Sequence, residues 1–511
     1  MNSLLKFEMH LPMMRECIAP LPRGQAETLA QRQPQNRRLQ FAPIYLLGFV
    51  HSFSEVAMIS RAMKISLSTL LTLPLTFLLV RPAEAQQSQL DDKIDSNIQD
   101  WLGTYKHLHE NPELSTQEKE TSALVASELK KLGYEVTDHF GQYEIADAQA
   151  YGVVAVLENG NGSTVYVRTD MDALPVTENT GLPYASKVAV KRADGSQVGV
   201  MHACGHDLHI TVFLGTAKML AESKSQWSGT VVLIGQPAEE SVRGAAAMLR
   251  AGLFTKFPKP DYILALHDTP WVPAGKVAYV DGPILSASDS IDITVRGYGG
   301  HGAAPQATKD PIVIASEIVM MLQTIVSRET DPLEHVVVTV GSFHSGTRYN
   351  IIPDDAHLQL TVRTMTPQMR AKVLAAITRI TNGVAQAAGV PDERKPIIEI
   401  SKDNVPATVN DAALTRRVAM AMEKSLGKEN VVAGKPIMAS EDFSLFALTA
   451  PNPPTMMFWL GASDPVKYKD AVENGTRLPS PHSSEFAPLP EPAIRTGVAA
   501  MTAAVISLLP K

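Results

Sequence analysis

Met201-His202-Ala203-Cys204-Gly205-His206-Asp207-Leu208-His209 puts one thiol and three imidazoles within nine residues, around a single glycine. Gly205 lets the backbone turn tightly enough for Cys204 and His206 to converge on one point, so the stretch reads as metal-ligand chemistry. A structural zinc site usually closes with a second cysteine pair. The only other cysteine, Cys17, lies far upstream, which argues for a site that draws its remaining ligands from loops elsewhere.

Outward from this stretch, buried strands alternate with helices. Ile94, Ile98, Trp101, Tyr105 and Leu108 recur at helical spacing, and Pro112 ends that run. Ser115 followed by Glu118 reads as a capping box opening a second helix, which Gly133 closes. Strands at 152–157 and 164–169 flank Asn159-Gly-Asn-Gly162, a hairpin signal. Apolar strands at 231–235 and 262–266 bracket a helix through Ala245 to Arg250, the pattern of an α/β sheet covered on both faces. In such sheets chemistry collects where strands end.

From Ser288 the pattern changes to half-exposed alternation. Strand, helix (about 310–328), strands (335–343, 357–364), helix (about 367–388) and a strand near Ile397 give βαββαβ, the ferredoxin-like unit. Residues 288–403 therefore read as a domain inserted between 86–287 and 404–511. After Asn410 the first pattern resumes, with a strand at 455–460 and a last helix from about Glu491.

A chain of 511 residues has room for two or three domains, and a net charge of -7 offers no basic field for phosphate backbones, which excludes nucleic acid as a partner. Met58-Ile-Ser-Arg-Ala-Met-Lys64, the uncharged run 65–80 and Ala83-Glu-Ala85 form the three parts of a secretory signal, with cleavage expected after Ala85. The run is too short for a membrane span, so none should remain in the mature, periplasmic or secreted protein. Translation is expected to start at Met58 or Met63, making 1–57 a non-native or disordered extension. The mature chain then keeps Cys204 alone, with no disulfide to explain it.

Gln236-Pro-Ala-Glu239-Glu240 follows a strand directly. Neighbouring side chains diverge, so one carboxylate can bind metal while the other handles a proton; a solvated acidic pair is the plainer use of the same residues. His267 ends an apolar strand and His482 sits in a loop, and each alone would be an ordinary packed or exposed histidine. As a set with Cys204, His206 and Glu240 they can hold two divalent ions, and thiolate with imidazole favours zinc-like metals.

Arg168-Thr-Asp-Met-Asp172, His202 to Asp207, Gln236 to Glu240, Gly300-His301-Gly-Ala-Ala-Pro305, Asn350-Ile-Ile-Pro353, Ser440-Glu-Asp-Phe443 and His482-Ser together resemble the M20 metallopeptidases. The resemblance spans about 95–505 and is to the amidohydrolase branch: hippurate, N-acyl-amino-acid and auxin-conjugate hydrolases. It implies an α/β di-metal catalytic domain with a central mixed sheet and an inserted lid and dimerisation domain. It implies two metals per subunit (zinc or manganese, with nickel or cobalt as alternatives) on Cys204, His206, Glu240, His267 and His482, Cys204 bridging. Glu239 would be the general base and Asp172 a supporting carboxylate, otherwise a turn residue. His301, assisted by Asn350, would reach the partner subunit's site across a homodimer; without the resemblance it is an exposed histidine in a glycine loop. Arg363 is either an anchor for a substrate carboxylate or an exposed strand arginine. His209 and Asp207 read as supporting or capping residues. The expected reaction is hydrolysis of N-acyl amino acids. A dipeptidase or carboxypeptidase is the nearest alternative, and a metal protein without catalysis the more distant one.

Overall fold

The computed structural model describes residues 83–144, 148–192 and 194–511, all within one unit, Phe77–Lys511. The expected extension 1–57 lies outside the described residues, as does the expected signal 58–85 except for its last three residues, which open the first helix.

In chain order the elements that matter here are α1 (Ala83–Glu110), α2 (Lys119–Lys131), β1 (Glu135–Phe140), β2 (Gly152–Asn159), β3 (Thr164–Asp170), α3 (His206–Glu222), β4 (Gly229–Gln236), α4 (Gly244–Arg250), β5 (Tyr262–Pro273) and β6 (Val277–Tyr279). Then come β7 (Ala287–Arg296), α5 (Pro311–Thr324), β8 (Val336–His344), β9 (Asp355–Thr364), α6 (Pro367–Ala387) and β10 (Ile397–Ile400), followed by α7 (Ala412–Leu426), β11 (Val431–Ala433), β12 (Thr455–Ser463) and α8 (Pro490–Leu508).

Among the described residues the larger sheet has eight strands in the order β1-β2-β4-β3-β5-β12-β6-β11. The neighbours β4, β3, β5 and β12 run parallel, whereas β1, β2 and β4 pair antiparallel, so the sheet is mixed. Alternation along β4 shows why both faces are covered. Val231 and Leu233 join the core under α1, α3, α7 and α8, while Val232 and Ile234 join a second core with Met248 of α4, Phe443 and Phe446.

The sequence expectation of a hairpin between β2 and β3 is not met, because β4 lies between them. Asn159 and its glycines arch over the start of β4: Asn159 Nδ2 donates to the carbonyls of Lys224 (2.7 Å) and Trp227 (2.5 Å). A Cβ at Gly162 would meet the Ser228 carbonyl at 2.5 Å. The turn chemistry was legible, but pairing depends on a strand some seventy residues downstream.

Residues 287–400 form a separate antiparallel sheet, β8-β9-β7-β10, with βαββαβ connectivity, the ferredoxin-like order. Ile291, Ile293 and Val295 of β7 face Ile314 and Ile318 of α5 and Ile377 of α6, while the alternate residues Ser290 and Asp292 are exposed. Pro311–Glu329 is apolar and long enough to cross a membrane by composition, but Ile314, Ile318 and Leu322 are buried against this sheet.

Candidate functional site

The parallel strands β3, β4 and β5 deliver their chemistry to one edge. Asp170 ends β3 in register with Gln236 at the end of β4, and the Glu239–Glu240 turn follows. β5 does not stop at His267, as the sequence reading had it. It continues to Pro273, with His267 paired to Trp459 of β12, so a strand holds this imidazole more rigidly than a loop would. Gly205, the N-cap of α3 at φ 79°, presents Cys204 and His206 side by side. A Cβ there would lie 2.5 Å from the Asp268 carboxylate, so only glycine fits.

The ring orientations are informative. His206 Nδ1 lies 2.7 Å from the Asp172 carbonyl and His267 Nδ1 lies 2.7 Å from the Asp268 carbonyl. A carbonyl only accepts, so both Nδ1 atoms carry the proton and both Nε2 lone pairs are left for the cluster. Cys204 Sγ is 3.5 Å from His267 Nε2, and Glu240 Oε1 is 3.8 Å from His206 Nε2. His482 joins from a loop at φ 67°. Its backbone amide donates to the Ala203 carbonyl at 2.7 Å, and its Nε2 lies 3.4 Å from Glu240 Oε2.

The donor atoms fall into triples within 4.8 Å of one another: Cys204, His206 and His267; Cys204, Glu240 and His482; His206, Glu239 and Glu240. Cys204 belongs to the first two. His206 Nε2 and Glu240 Oε1 are buried without a hydrogen-bond partner. Burial, then the neighbouring Glu240 and Glu239, pushes the Cys204 thiol up, and burial raises the Glu240 carboxyl to about 7. Glu239 is raised by burial and then by Glu441 and Glu240. Crowded acids beside the unpartnered His206 Nε2 fit divalent cations, which satisfy its lone pair and neutralise the carboxylates.

A buried scaffold supports these groups. Arg168, 2% exposed, donates to Asp170 (2.7 Å), Glu441 (2.7 Å) and Gln236 (2.9 Å). His209 bridges Asp170 and Asp268 at 2.7 and 3.2 Å, and Asp207 binds His109 at 2.6 Å while also accepting from the Leu208 amide. Burial would lower the His109 pKa, but hydrogen bonds to Asp207 and Glu178 outweigh it and hold the imidazolium to about 10. Asp172 accepts from the amides of Glu239 (3.1 Å) and Glu240 (3.0 Å) and from the Ser115 hydroxyl (2.5 Å), which is more than a turn residue does. Sequence reasoning quoted Arg168 and Asp170 within a motif without giving them a role, read Glu118 as a helix cap, and missed His109 and Asp268. The signal was available in Arg168 and Asp170, charged residues ending an otherwise apolar strand, Val165-Tyr-Val167.

The expected capping box at Ser115 and Glu118 does not form. Glu113 instead accepts from the amides of Glu120 (3.1 Å) and Thr121 (2.8 Å) at the start of α2, leaving Ser115 and Glu118 to point elsewhere.

A cavity of about 610 Å³ opens over the cluster. Its far wall comes from the second sheet and includes Arg363, whose Nη1 donates to Ser440 Oγ at 2.6 Å. Burial lowers the Arg363 pKa with no carboxylate offsetting it, so this half-buried cation faces the cavity without an acidic partner among the described residues. His301 and Asn350 are not brought to this cavity. His301 lies on an exposed two-stranded ribbon, Gly300–His301 with Ile351–Ile352, and Asn350 immediately precedes its second strand, its carbonyl accepting from Gly302 N at 2.9 Å.

The model of Peptidase family M20/M25/M40 matches residues 166–505. Thermostable carboxypeptidase 2 of Saccharolobus solfataricus is 38% identical over 392 residues, 76% of this chain and 91% of that one. Hippurate hydrolase of Campylobacter jejuni is 41% identical over 342 residues, 66% of this chain and 82% of its own. A solved Bacillus subtilis structure, described as a dinuclear metal binding peptidase from the M20 family, is similar with TM-score 0.64 and 27% identity, covering 81% of this chain and 99% of that one.

Proposed function

The chain belongs to peptidase family M20/M25/M40, in its amidohydrolase branch, and is a metal-dependent amide hydrolase; on that premise we propose that it is exported and cleaves N-acyl amino acids of the hippurate type. The observation that carries the substrate class is Arg363: a half-buried guanidinium with no acidic partner among the described residues, across one cavity from the donor cluster, suits a substrate whose carboxylate lies close to its scissile amide.

Cys204, His206, Glu240, His267 and His482 would hold two divalent cations, zinc or manganese, with nickel or cobalt as alternatives. When bound, such a pair supplies Lewis acidity, polarising the amide carbonyl and making a water easier to deprotonate. Arg363 and Ser440 hold the substrate carboxylate. Glu239, pinned through its backbone amide to Asp172, takes the proton from the water and passes it to the departing amine nitrogen. Burial and neighbouring acids raise its pKa in the cation-free site; bound cations would offset that rise and leave the carboxylate able to take a proton and return it.

His301 acts in the site of a second copy, with Asn350 beside it. Its exposure outside its own cavity supports this, as does the uncovered apolar outer face of α5, where Val313, Met320 and Met321 are exposed. The homodimer would cover that face, and sedimentation of the purified protein should show two subunits; a fully active monomer would remove His301 from the mechanism.

Glu239→Gln should lower kcat on N-benzoylglycine by about 10² to 10⁴. Activity within threefold of wild type would refute Glu239 as the base. A second reading, carboxypeptidase action, is favoured by the Saccharolobus relative. Both substrates end in a carboxylate, so side-by-side rates on N-benzoylglycine and on a matched dipeptide decide between them. Fractionation of expressing cells, with the enzyme staying in the cytoplasm, would refute export.

A further inference from the structure

Glu118, read from sequence as half of a helix cap, is fully buried, and its Oε1 accepts from two backbone amides at once: Thr116 N and Ala238 N, each at 2.8 Å. Both amides belong to residues in the left-handed region, with φ 69° at Thr116 and 52° at Ala238. Val242, a β-branched residue, stands at φ 59° four positions further on. Side chains with a Cβ avoid this region, so surrounding contacts must hold the backbone there.

Asp172 extends the same grip. Its Oδ1 accepts from Glu239 N at 3.1 Å and its Oδ2 from Glu240 N at 3.0 Å, while Ser115 Oγ donates to that Oδ2 at 2.5 Å. Three consecutive amides, 238 to 240, thus end on two buried carboxyl groups, one on the segment that precedes α2 and one tied to it by Ser115. Gly244 completes the turn, since a Cβ there would meet the Pro237 carbonyl at 1.6 Å. A peptide pinned at successive amides cannot rotate, so the directions in which Glu239 and Glu240 leave the backbone are set from outside the turn.

We infer that Glu118, with Ser115 acting through Asp172, is a positioning residue that locks the 238–242 turn, aiming Glu240 at the donor cluster and Glu239 at the cavity. The inference rests on the roles given to those two glutamates above. It separates from plain fold stabilisation, because a stabilising contact alone would move the melting temperature and leave kcat and metal affinity unchanged.

The test uses the full chain carrying Glu118→Gln, Glu118→Asp and Glu118→Ala, with zinc affinity measured by chelator competition, kcat and KM on N-benzoylglycine, and melting temperature. Glu118→Gln keeps an acceptor oxygen in place and is expected to stay within about threefold of wild type. Glu118→Asp keeps the acid but is one methylene too short for both amides. It should lose about 10- to 100-fold in kcat and in zinc affinity, with KM little changed. Wild-type kcat and zinc affinity in Glu118→Asp, or equal damage in Glu118→Gln and Glu118→Asp, would overturn the inference. If Glu118→Ala does not fold, the Gln and Asp pair still decides. Glu239→Gln run alongside separates the two levels: an active Glu239→Gln enzyme removes the proposed base, while the zinc measurement continues to test positioning through Glu240.

Discussion

Replacing Arg363 with Met keeps the length and apolar stem of the side chain and removes the cavity's single Arg or Lys cation among the described residues. Its partners, Ser440 Oγ at 2.6 Å and Thr361 Oγ1 at 3.3 Å, are neutral, so no buried acid is orphaned by the change. Hydrogen bonds to charged groups contribute about 1.5–3 kcal/mol, and unit charges about 4 Å apart at an effective dielectric near 20 set a ceiling of about 4 kcal/mol. About 2–3 kcal/mol for a half-buried anchor corresponds to a loss of roughly 30- to 150-fold in kcat/KM on N-benzoylglycine. The carboxylate keeps its charge through the reaction, so the loss belongs in KM more than in kcat. The assay compares N-benzoylglycine with N-benzoylglycinamide, which carries the same scissile amide and no carboxylate. Wild type should prefer the acid by the factor above, and Arg363→Met should cleave both about equally. A variant that still prefers the acid by more than about tenfold, with wild-type KM, would show that the carboxylate is held elsewhere and that the substrate class argued from Arg363 is wrong.

Metal binding should release protons, because the raised Cys204 thiol and the Glu240 carboxyl near 7 must both ionise to bind. Titration calorimetry of metal-free protein at pH 7 in two buffers of different ionisation heat should therefore show net proton release and affinity rising with pH; buffer-independent heats would contradict it. His109 has its folded pKa raised from 6.5 to about 10, so its contribution to stability is complete below pH 6.5 and is lost as pH rises toward 10. Melting temperature measured from pH 7 to 10 should fall more steeply in wild type than in His109→Gln, and parallel curves would count against a charged His109. Arg168→Met leaves Asp170 and Glu441 buried without their cation, so it should cost about 3–5 kcal/mol and several degrees of melting temperature, read by calorimetry. An unchanged melting temperature would mean that the acids are neutral in the folded state.

Local patterns were readable because each depends on a few neighbouring residues. The α1 face from Ile94 to Leu108, the Gly205 turn and the βαββαβ order of 287–400 all follow from periodicity or from the requirements of one backbone position. The candidate donors Cys204, His206, Glu240, His267 and His482 were named through the resemblance, with sulfur, imidazole and carboxylate chemistry in its favour, and the structure brings their donor atoms together. Their support was not readable. Ser115 and Glu118 have the spacing of a helix cap, and the same two side chains serve as well to bind Asp172 and the Ala238 amide; in the fold Glu113 accepts from the first amides of α2 in their place.

From the sequence came the α/β class of the larger sheet and the βαββαβ order, which depend on hydrophobic period, and, through the resemblance, the candidate donor side chains. The tertiary structure decided that β4 separates β2 from β3, that His267 sits within a strand, and that Arg363 faces the cluster while His301 does not. The reason is physical: hydrogen-bonding capacity belongs to a residue, but its partner is chosen by whichever distant segment is brought within about 3 Å when the cores close.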